Sequence, residues 1–180
     1  MVRPIALTGT PGTGKSSVAR ELRPLRTVEV ADLARAWGLA RTIPGGVEVD
    51  LPRLVRHARN PRALDHFDVV VGHLAHLLPL RDVVVLRCDP IELDRRLRRA
   101  HRGSAATQAQ NVAAEATDVI RWEATGPGRR VYQVDTTGRS SSTVAHAVRA
   151  FARSRRPGRA IRVDWLSDPR VTDYLLDRAP

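Results

Sequence analysis

The sequence is poor in several residue types, and each shortage narrows the kind of protein it can be. Cys88 is the only cysteine among 180 residues, so no disulfide can form within the chain, which is typical of a reducing cytosol. Aromatic residues make up 4% of the chain, and the three tryptophans are scattered, which favours packing over stacking against bases. No apolar run reaches the roughly 18 residues of a membrane helix. A strand is predicted almost at the first residue, so we expect no signal peptide, no membrane span and a cytoplasmic protein.

Lysine is also nearly absent, although basic residues are not. Lys15 is the only lysine, whereas lysine and arginine together number 30 and the formal net charge is +11. Because arginine takes every other basic position, the one compact ammonium marks Lys15 as a functional residue. The positive charge favours contact with polyanions such as nucleotides or RNA, but a genome biased toward arginine would give the same surplus.

Lys15 belongs to the segment GTPGTGKS, residues 9–16, which matches the phosphate-binding pattern G-x-x-x-x-G-K-[ST]. In this pattern Gly12 and Gly14 let the main chain curl until successive N–H groups point at one anion. Lys15 then reaches the β- and γ-phosphates of a nucleotide, and the Ser16 hydroxyl binds Mg²⁺. The segment therefore predicts ATP and Mg²⁺ as ligands, with Lys15 as a catalytic residue and Ser16 as a metal ligand.

The surroundings of the loop favour this interpretation. Residues 5–8 form an apolar strand pattern before it, and residues 16–22 form a helical pattern after it. The phosphate-binding mechanism requires a strand, a glycine loop and a helix in this order, because the helix adds the positive end of its dipole. The alternative is an ordinary Gly/Pro turn between two elements.

The rest of the chain alternates between strand and helix patterns. Residues 67–71 and 83–86 are apolar runs typical of central parallel strands that are buried on both faces. Other elements are predicted as strands at 27–30 and 131–134, as helices at about 32–37, from 50, from 89, at about 107–124 and at 141–152, and as a loop at 40–50. We predict an α/β P-loop NTPase fold in which a five-stranded parallel sheet is flanked by helices.

The chain changes character near its end. Residues 1–152 are predicted to form one domain, and residues 153–180 a basic linker and a C-terminal extension. Residues 163–166 and 174–176 carry apolar side chains that can dock on the domain as short segments. We expect the domain to fold without the extension.

Several separate stretches resemble the adenylate kinase isoenzyme 6 family, which includes archaeal proteins and eukaryotic ribosome-assembly factors. The stretches are LTGTPGTGK (7–15), VADLAR (30–35), GHLAHLL (72–78), VLRCDP (85–90), NVAAE (111–115) and VDTTGRS (134–140). The loop motif alone is shared by many proteins. The combination in this order is far more specific.

The resemblance implies a nucleoside monophosphate kinase fold with a short NMP-binding segment at about 31–54 and a short lid at about 99–109. It implies that Arg35 holds the phosphate of AMP. It also implies that His73, which follows the third strand of the sheet, lies near the reacting phosphates as a second catalytic and substrate-binding residue. The positions that match ATP-binding residues are Gly12, Gly14, Lys15, Ser16 and Ser17 in the loop, and Arg99 and Arg102 in the lid.

The chain departs from the family pattern in two places. Family members usually have a carboxylate just before the Gly-His pair, where it holds Mg²⁺, but Val71 stands there in this chain. Asp68, earlier in the same strand, and Asp89, after the next strand, are the candidates to replace it. The lid also lacks the usual Arg-Gly-aromatic run. Both departures affect the expected rate of phosphoryl transfer more than the expected binding of the nucleotide.

Three functions remain open from the sequence. The first is a kinase that transfers the ATP γ-phosphate to AMP. The second is an ATP-hydrolysing assembly factor that contacts a ribosomal protein or the rRNA of the small subunit, as the resemblance implies. The third is a nucleotide-binding module with little catalysis, which Val71 motivates. ADP formation that depends on AMP would support the first, phosphate release without AMP the second, and ATP binding with neither activity the third.

Overall fold

A five-stranded parallel sheet lies at the centre of the computed structural model, which describes residues 4–44, 46–60, 62–101, 103–155 and 163–177. The strands are β1 (Ile5–Gly9), β2 (Thr27–Glu29), β3 (Ala40–Ile43), β4 (Gly46–Val49), β5 (Val69–Val71), β6 (Asp82–Arg87) and β7 (Arg130–Asp135). The sheet has the order β2-β5-β1-β6-β7, and each neighbouring pair in it is parallel. This confirms the predicted fold class.

Helices cover both faces of the sheet. They are α1 (Lys15–Glu21), α2 (Val30–Ala36), α3 (Leu51–Ala58), α4 (Pro90–Arg99), α5 (Ala105–Ala116), α6 (Val119–Ala124), α7 (Ser141–Ser154) and α8 (Pro169–Leu176). Side chains alternate across β1 because successive residues of a strand point to opposite faces. Ala6 packs with the apolar side chains of α2, α3 and α6, whereas Ile5 and Leu7 pack with those of α1 and α7. The core therefore has two apolar layers with the sheet between them.

The carboxyl ends of β1, β2 and β5 meet at one edge of the sheet. Glu29 at the end of β2 is in register with Val71 at the end of β5, and Leu7 of β1 is also in register with Val71. Ligands of open α/β sheets bind at this edge, in the crevice where the strand order reverses. Here the reversal lies beside β1, which places the phosphate-binding loop at the crevice.

Two predicted elements are wrong in the structure. Residues 40–50 are not a loop, because β3 and β4 form an antiparallel hairpin in which Arg41 pairs with Glu48. The predicted helix at 107–124 is two helices, α5 and α6, which are separated at Asp118. Asp118 has a left-handed φ of 62° and forms ion pairs with the distant, buried Arg87 and with Arg121 one turn later, and these contacts stabilise the break.

The C-terminal extension packs against α4 and α5, as far as the structure describes it. Val171 of α8 is fully buried, and Leu175 packs against an apolar cluster that includes Leu93. The Tyr174 hydroxyl donates a hydrogen bond of 2.5 Å to Asp94 Oδ2 of α4. The expectation that the domain folds without the extension stays a prediction. The predicted linker falls mostly at 156–162, outside the described residues.

The sequence predicted no membrane span. Within the residues that the structure describes, none of the helices has the length and apolar character needed to cross a bilayer.

Candidate phosphate-binding active site

A cavity of about 350 Å³ opens at the carboxyl edge of the sheet, between the 9–16 loop and α4. It brings together most of the residues that the sequence predicted for the site. Its lining consists of Pro11, Gly12, Gly14, Lys15, Ser16, Ser17, Glu29, Gly72, His73, Arg96, Leu97 and Ala100. Polar and cationic groups dominate the loop side of this lining, as expected for a site that binds an anion.

The loop depends on glycine at two of the predicted positions. Gly12 and Gly14 have φ values of 95° and 94°, a left-handed region that side chains rarely adopt. A Cβ atom on Gly12 would also lie 2.8 Å from Leu93 Cδ1 and 2.9 Å from Leu97 Cδ2. Helix α4 therefore packs directly against the loop, and this contact couples the position of α4 to the shape of the phosphate-binding main chain.

Lys15 is the first residue of α1 and points back over the loop. Its Nζ donates hydrogen bonds of 2.7 Å to the Gly9 carbonyl and 2.9 Å to the Thr10 carbonyl. These main-chain acceptors hold the ammonium in the wall of the cavity. The same ammonium can donate to a phosphate oxygen that enters the cavity, in the geometry that the sequence pattern predicts.

Ser16 faces a carboxylate that the sequence analysis did not identify. The Ser16 hydroxyl donates a hydrogen bond of 3.0 Å to Glu29 Oε1, and both residues line the cavity. The two groups are hard oxygen donors of the kind that Mg²⁺ takes, so the donor set fits the ion that accompanies ATP. Glu29 lies within the strand predicted at 27–30 and is the last residue of β2 in the structure. The rule that strand ends meet at one edge marks it as a candidate only once the strand order is known.

A second missed residue is Arg96 of α4. It lines the cavity, donates 3.0 Å hydrogen bonds to Glu92 Oε1 and to the Thr136 carbonyl, and is one-quarter exposed. Helical spacing places Arg96 at the border of the inward face of α4, which Leu93 and Leu97 form, but the spacing does not show that this face meets the loop.

The predicted lid cations are not shown in contact with the cavity. Arg99 is the exposed last residue of α4 and does not belong to the cavity lining within the described part of the chain. Arg102 lies outside the described residues. The roles of Arg99 and Arg102 therefore stay predictions, and Arg96 is the arginine that the fold itself brings to the site.

Arg35 lies in the last turn of α2, apart from the residues that line the cavity. Its Nη1 forms an exposed ion pair of 2.6 Å with Asp32 Oδ1. Helix α2 begins at Val30, two residues before the predicted start, so Asp32 lies in its first turn. The guanidinium of Arg35 is exposed, and its contact with the phosphate of AMP stays a prediction.

His73 follows β5 after one glycine, and a buried hydrogen-bond network holds its main chain. Its carbonyl accepts a 3.2 Å hydrogen bond from the Thr8 hydroxyl, which also lies 2.9 Å from His76 Nδ1. The other ring nitrogen of His76 lies 2.8 Å from Glu123 Oε2, and the His76 side chain is only 2% exposed. Thr8, His76 and Glu123 therefore connect the segment that carries His73 to β1 and α6.

Both histidines resist protonation in the folded protein. Burial, and to a lesser degree the nearby Lys15 ammonium, lower the pKa of His73. Burial likewise lowers the pKa of His76, against the opposing effect of Glu123. In the unfolded chain both groups titrate near the ordinary value of about 6.5. At neutral pH His73 therefore presents a neutral imidazole to the cavity.

This difference predicts a pH-dependent stability. Because the unfolded chain binds protons more readily, the contribution of both histidines is fully present above about pH 6.5 and is lost as the pH falls toward their folded-state pKa values. We expect the free energy of unfolding in urea to decrease between about pH 7.5 and about pH 5.5. In the variant with His73→Gln and His76→Gln this decrease should be clearly smaller.

The control is His146→Gln, since His146 lies exposed on α7. This variant should keep the full decrease. The same pH dependence in the double variant as in the unaltered protein would contradict the assignment. Because each variant is compared with itself at two pH values, a uniform loss of stability would not affect the result.

The loop is also hydrogen-bonded to a buried carboxylate on α5. Glu115 Oε2 accepts a 2.5 Å hydrogen bond from the Thr10 hydroxyl, and Glu115 Oε1 accepts bonds from Arg87 Nε at 2.8 Å and the Cys88 N–H at 3.1 Å. Glu115 and Arg87 are each 2% exposed. Cys88 is fully buried in an apolar cluster with Leu93, and burial raises the pKa of its thiol to about 12, so it is a packing residue.

The chain is similar to known proteins along most of its length. Residues 5–118 match a family model described as an AAA domain. A protein named "Putative adenylate kinase" from Archaeoglobus fulgidus is 39% identical, with 95% of this chain and 97% of that protein covered. The protein of the same name from Halobacterium salinarum is also 39% identical, with 95% and 99% covered.

Solved structures agree on the fold. The shikimate kinase of Acinetobacter baumannii has a TM-score of 0.53 at 15% identity, with 87% of this chain and 96% of that chain covered. A gluconokinase of Sinorhizobium meliloti has a TM-score of 0.51 at 17% identity, with 84% and 92% covered. At these identities the likeness shows the fold alone. The archaeal relatives match nearly the whole chain, the family model spans the phosphate-binding loop, and the chain therefore belongs to the adenylate kinase isoenzyme 6 family of P-loop phosphotransferases.

Proposed function

We propose that this protein transfers the γ-phosphoryl group of ATP to AMP and so forms two molecules of ADP. One observation carries the proposal: Lys15, Ser16, His73 and Arg96 line a single cavity at the start of α1. The archaeal relatives that match nearly the whole chain carry the name of this activity. Phosphoryl transfer asks mainly for alignment and charge neutralisation, and this set of residues can supply both.

Each residue of the cavity has a role in this reaction. The loop N–H groups and Lys15 bind the β- and γ-phosphates, and Arg96 adds a guanidinium on the opposite wall. Mg²⁺, which Ser16 would help to hold, neutralises part of the phosphate charge when it is bound with ATP. The neutral imidazole of His73 can hydrogen-bond a phosphate oxygen of the transferred group. With its charge neutralised, this group becomes a better target for the acceptor oxygen.

Arg35 is the residue predicted to bind AMP, the acceptor of the phosphoryl group. We propose that the guanidinium exchanges its exposed ion pair with Asp32 for the phosphate of AMP. Bidentate contact with a phosphate suits arginine better than it suits lysine. The exposed position of the Asp32–Arg35 pair leaves the guanidinium accessible for this exchange.

Replacing Arg35 with alanine tests this role. A charge-assisted hydrogen bond is worth about 1.5–3 kcal/mol, so we expect the KM for AMP to rise by about 10- to 100-fold while the KM for ATP changes little. A coupled assay of ADP production at varied AMP and saturating ATP measures the effect. Arg153→Ala, which removes an exposed arginine from the far end of α7, should leave both constants unchanged. An unchanged KM for AMP in Arg35→Ala would contradict the assignment.

The same assay on the unaltered protein separates the functions that the sequence left open. ADP formation that requires AMP supports the kinase. Phosphate release without AMP, increased by a small-subunit ribosomal protein or its rRNA, would indicate an ATP-hydrolysing assembly factor instead. ATP binding with neither activity would indicate a nucleotide-binding module. The ribosomal partner remains a prediction from the resemblance.

A further inference from the structure

The feature that prompts a further inference is the missing carboxylate at Val71. Val71 is fully buried and packs in the apolar layer with Leu7 and Val18. A carboxylate there would lose its hydration with no partner on the apolar side, so the position is built for a hydrocarbon side chain. If the site needs an acid for its metal ion, a different residue has to provide it.

The two acids considered from the sequence are engaged elsewhere. Asp68 precedes β5 and lies at the opposite edge of the sheet, where it accepts hydrogen bonds of 2.8 and 3.1 Å from the main chain and side chain of Arg26. Asp89 caps α4 by accepting a 2.8 Å hydrogen bond from the Ile91 N–H. Neither residue lines the cavity within the described part of the chain.

Glu29 lies next to the missing position, on the neighbouring strand. The parallel register of β2 and β5 places Glu29 beside Val71, at the usual strand separation of about 4.8 Å. Residues in register project to the same face of a sheet, and Val71 projects toward α1. Glu29 therefore also projects toward α1, where its Oε1 accepts the 3.0 Å hydrogen bond from Ser16.

We infer that Glu29 replaces the absent strand carboxylate and, together with Ser16, provides the protein ligands of the Mg²⁺ that accompanies the nucleotide. This inference rests on the proposed function, because the remaining ligands are phosphate oxygens and water. Mg²⁺ in nucleotide-dependent enzymes is usually held by one or two protein oxygens plus substrate phosphates. The proposed carboxylate lies one strand away from the position in the family pattern, on β2 next to β5.

Glu29→Gln is the variant that isolates the charge. The amide oxygen of glutamine can still accept the hydrogen bond from Ser16, so packing and local structure are preserved while the negative charge is lost. Glu21→Gln is the matched control, because Glu21 ends α1 on the exposed surface and does not line the cavity. Glu29→Asp, which keeps a carboxylate on a shorter side chain, is the conservative variant.

Metal binding is measured directly and without turnover. Mn²⁺ is titrated into the protein saturated with ADP and followed by electron paramagnetic resonance. Calorimetry measures ADP binding in EDTA. We expect Mn²⁺ to bind about tenfold more weakly or worse to Glu29→Gln, and Glu29→Asp to fall between this variant and the unaltered protein. ADP without metal should bind Glu29→Gln at least as tightly as the unaltered protein, since one negative charge beside the phosphates is gone.

The outcomes distinguish this inference from the proposed function. Equal Mn²⁺ affinity in Glu29→Gln and Glu21→Gln, with ADP bound by both, would overturn the role of Glu29 and leave the kinase intact. No ADP binding by the unaltered protein would overturn both. Glu29→Gln that loses ADP binding in EDTA would show a structural role for the residue and would also overturn the inference.

Discussion

Replacing Lys15 with alanine should abolish most ATP affinity and nearly all turnover. The ammonium is the one lysine of the chain and lies in the cavity wall, held by the carbonyls of Gly9 and Thr10. It contributes a full positive charge where negative charge is concentrated on the transferred phosphate. Removal of one such donor typically lowers turnover by about 10²–10³-fold. Calorimetry with ATP and the coupled assay with AMP measure the two parts of the loss.

Two further variants test whether the loss is specific to the ammonium of Lys15. Lys15→Arg keeps the charge, but its planar guanidinium does not reproduce a compact ammonium, so we expect this variant to stay strongly impaired. Arg153→Ala removes a cation away from the site and should be active. Thermal unfolding of each variant shows whether the fold is retained. Unchanged ATP binding in Lys15→Ala would remove the assignment of the phosphate-binding loop.

Glu115→Ala should have the largest effect on stability of any substitution considered. The carboxylate accepts hydrogen bonds from Thr10, Arg87 and the Cys88 main chain, and it is almost fully buried. Removing it leaves the Arg87 guanidinium buried with only part of its partners. Breaking a buried pair in this way costs about 3–5 kcal/mol. Urea unfolding at neutral pH measures the change in the free energy of unfolding.

The matched control for Glu115→Ala is an exposed pair of the same chemistry. Glu48 pairs with Arg41 on the surface of the β3–β4 hairpin, and each of these side chains is at least half exposed. Because water screens such a pair, Glu48→Ala should change the stability little. Equal effects of the two substitutions would contradict the view that the network below the loop stabilises the fold. Weaker ATP binding by Glu115→Ala in native buffer would further show that Thr10 needs this support.

The parts of the site that were predictable share a local cause. The glycines at positions 12 and 14 are needed by the main chain of the loop itself, and Lys15 and Ser16 follow from the same short segment. The central strands were predictable because β5 and β6 are fully buried, and β5 and the middle of β6, residues 83–86, are continuous apolar runs. Alternation of these elements with helices then fixed the parallel sheet.

The errors involve contacts that local residue preferences do not indicate. Helix α5 ends before Asp118 because Asp118 pairs with Arg87, and no property of the segment 105–124 indicates that partner. The hairpin at 40–49 depends on pairing between two weak strands, for which the sequence around the Pro-Gly turn suggested only a loop. In both cases tertiary contacts override local preference.

Glu29 and Arg96 show the same limit within the site. Each was visible in the sequence as an ordinary charged residue, one at the end of a strand and the other on an arginine-rich helix face. The strand order β2-β5-β1 brings Glu29 to Ser16, and the packing of Leu93 and Leu97 on Gly12 brings Arg96 to the cavity.

The sequence by itself determined the glycine loop with its one lysine, on which the proposed phosphate binding rests, because a main-chain nest and the side chain beside it are encoded within a few consecutive residues. It also determined the layered α/β architecture, through apolar runs and their spacing. Only the tertiary structure decided which carboxylate and which arginine complete the cavity. Those choices depend on strand order and helix packing, which bring together residues that are distant in the chain.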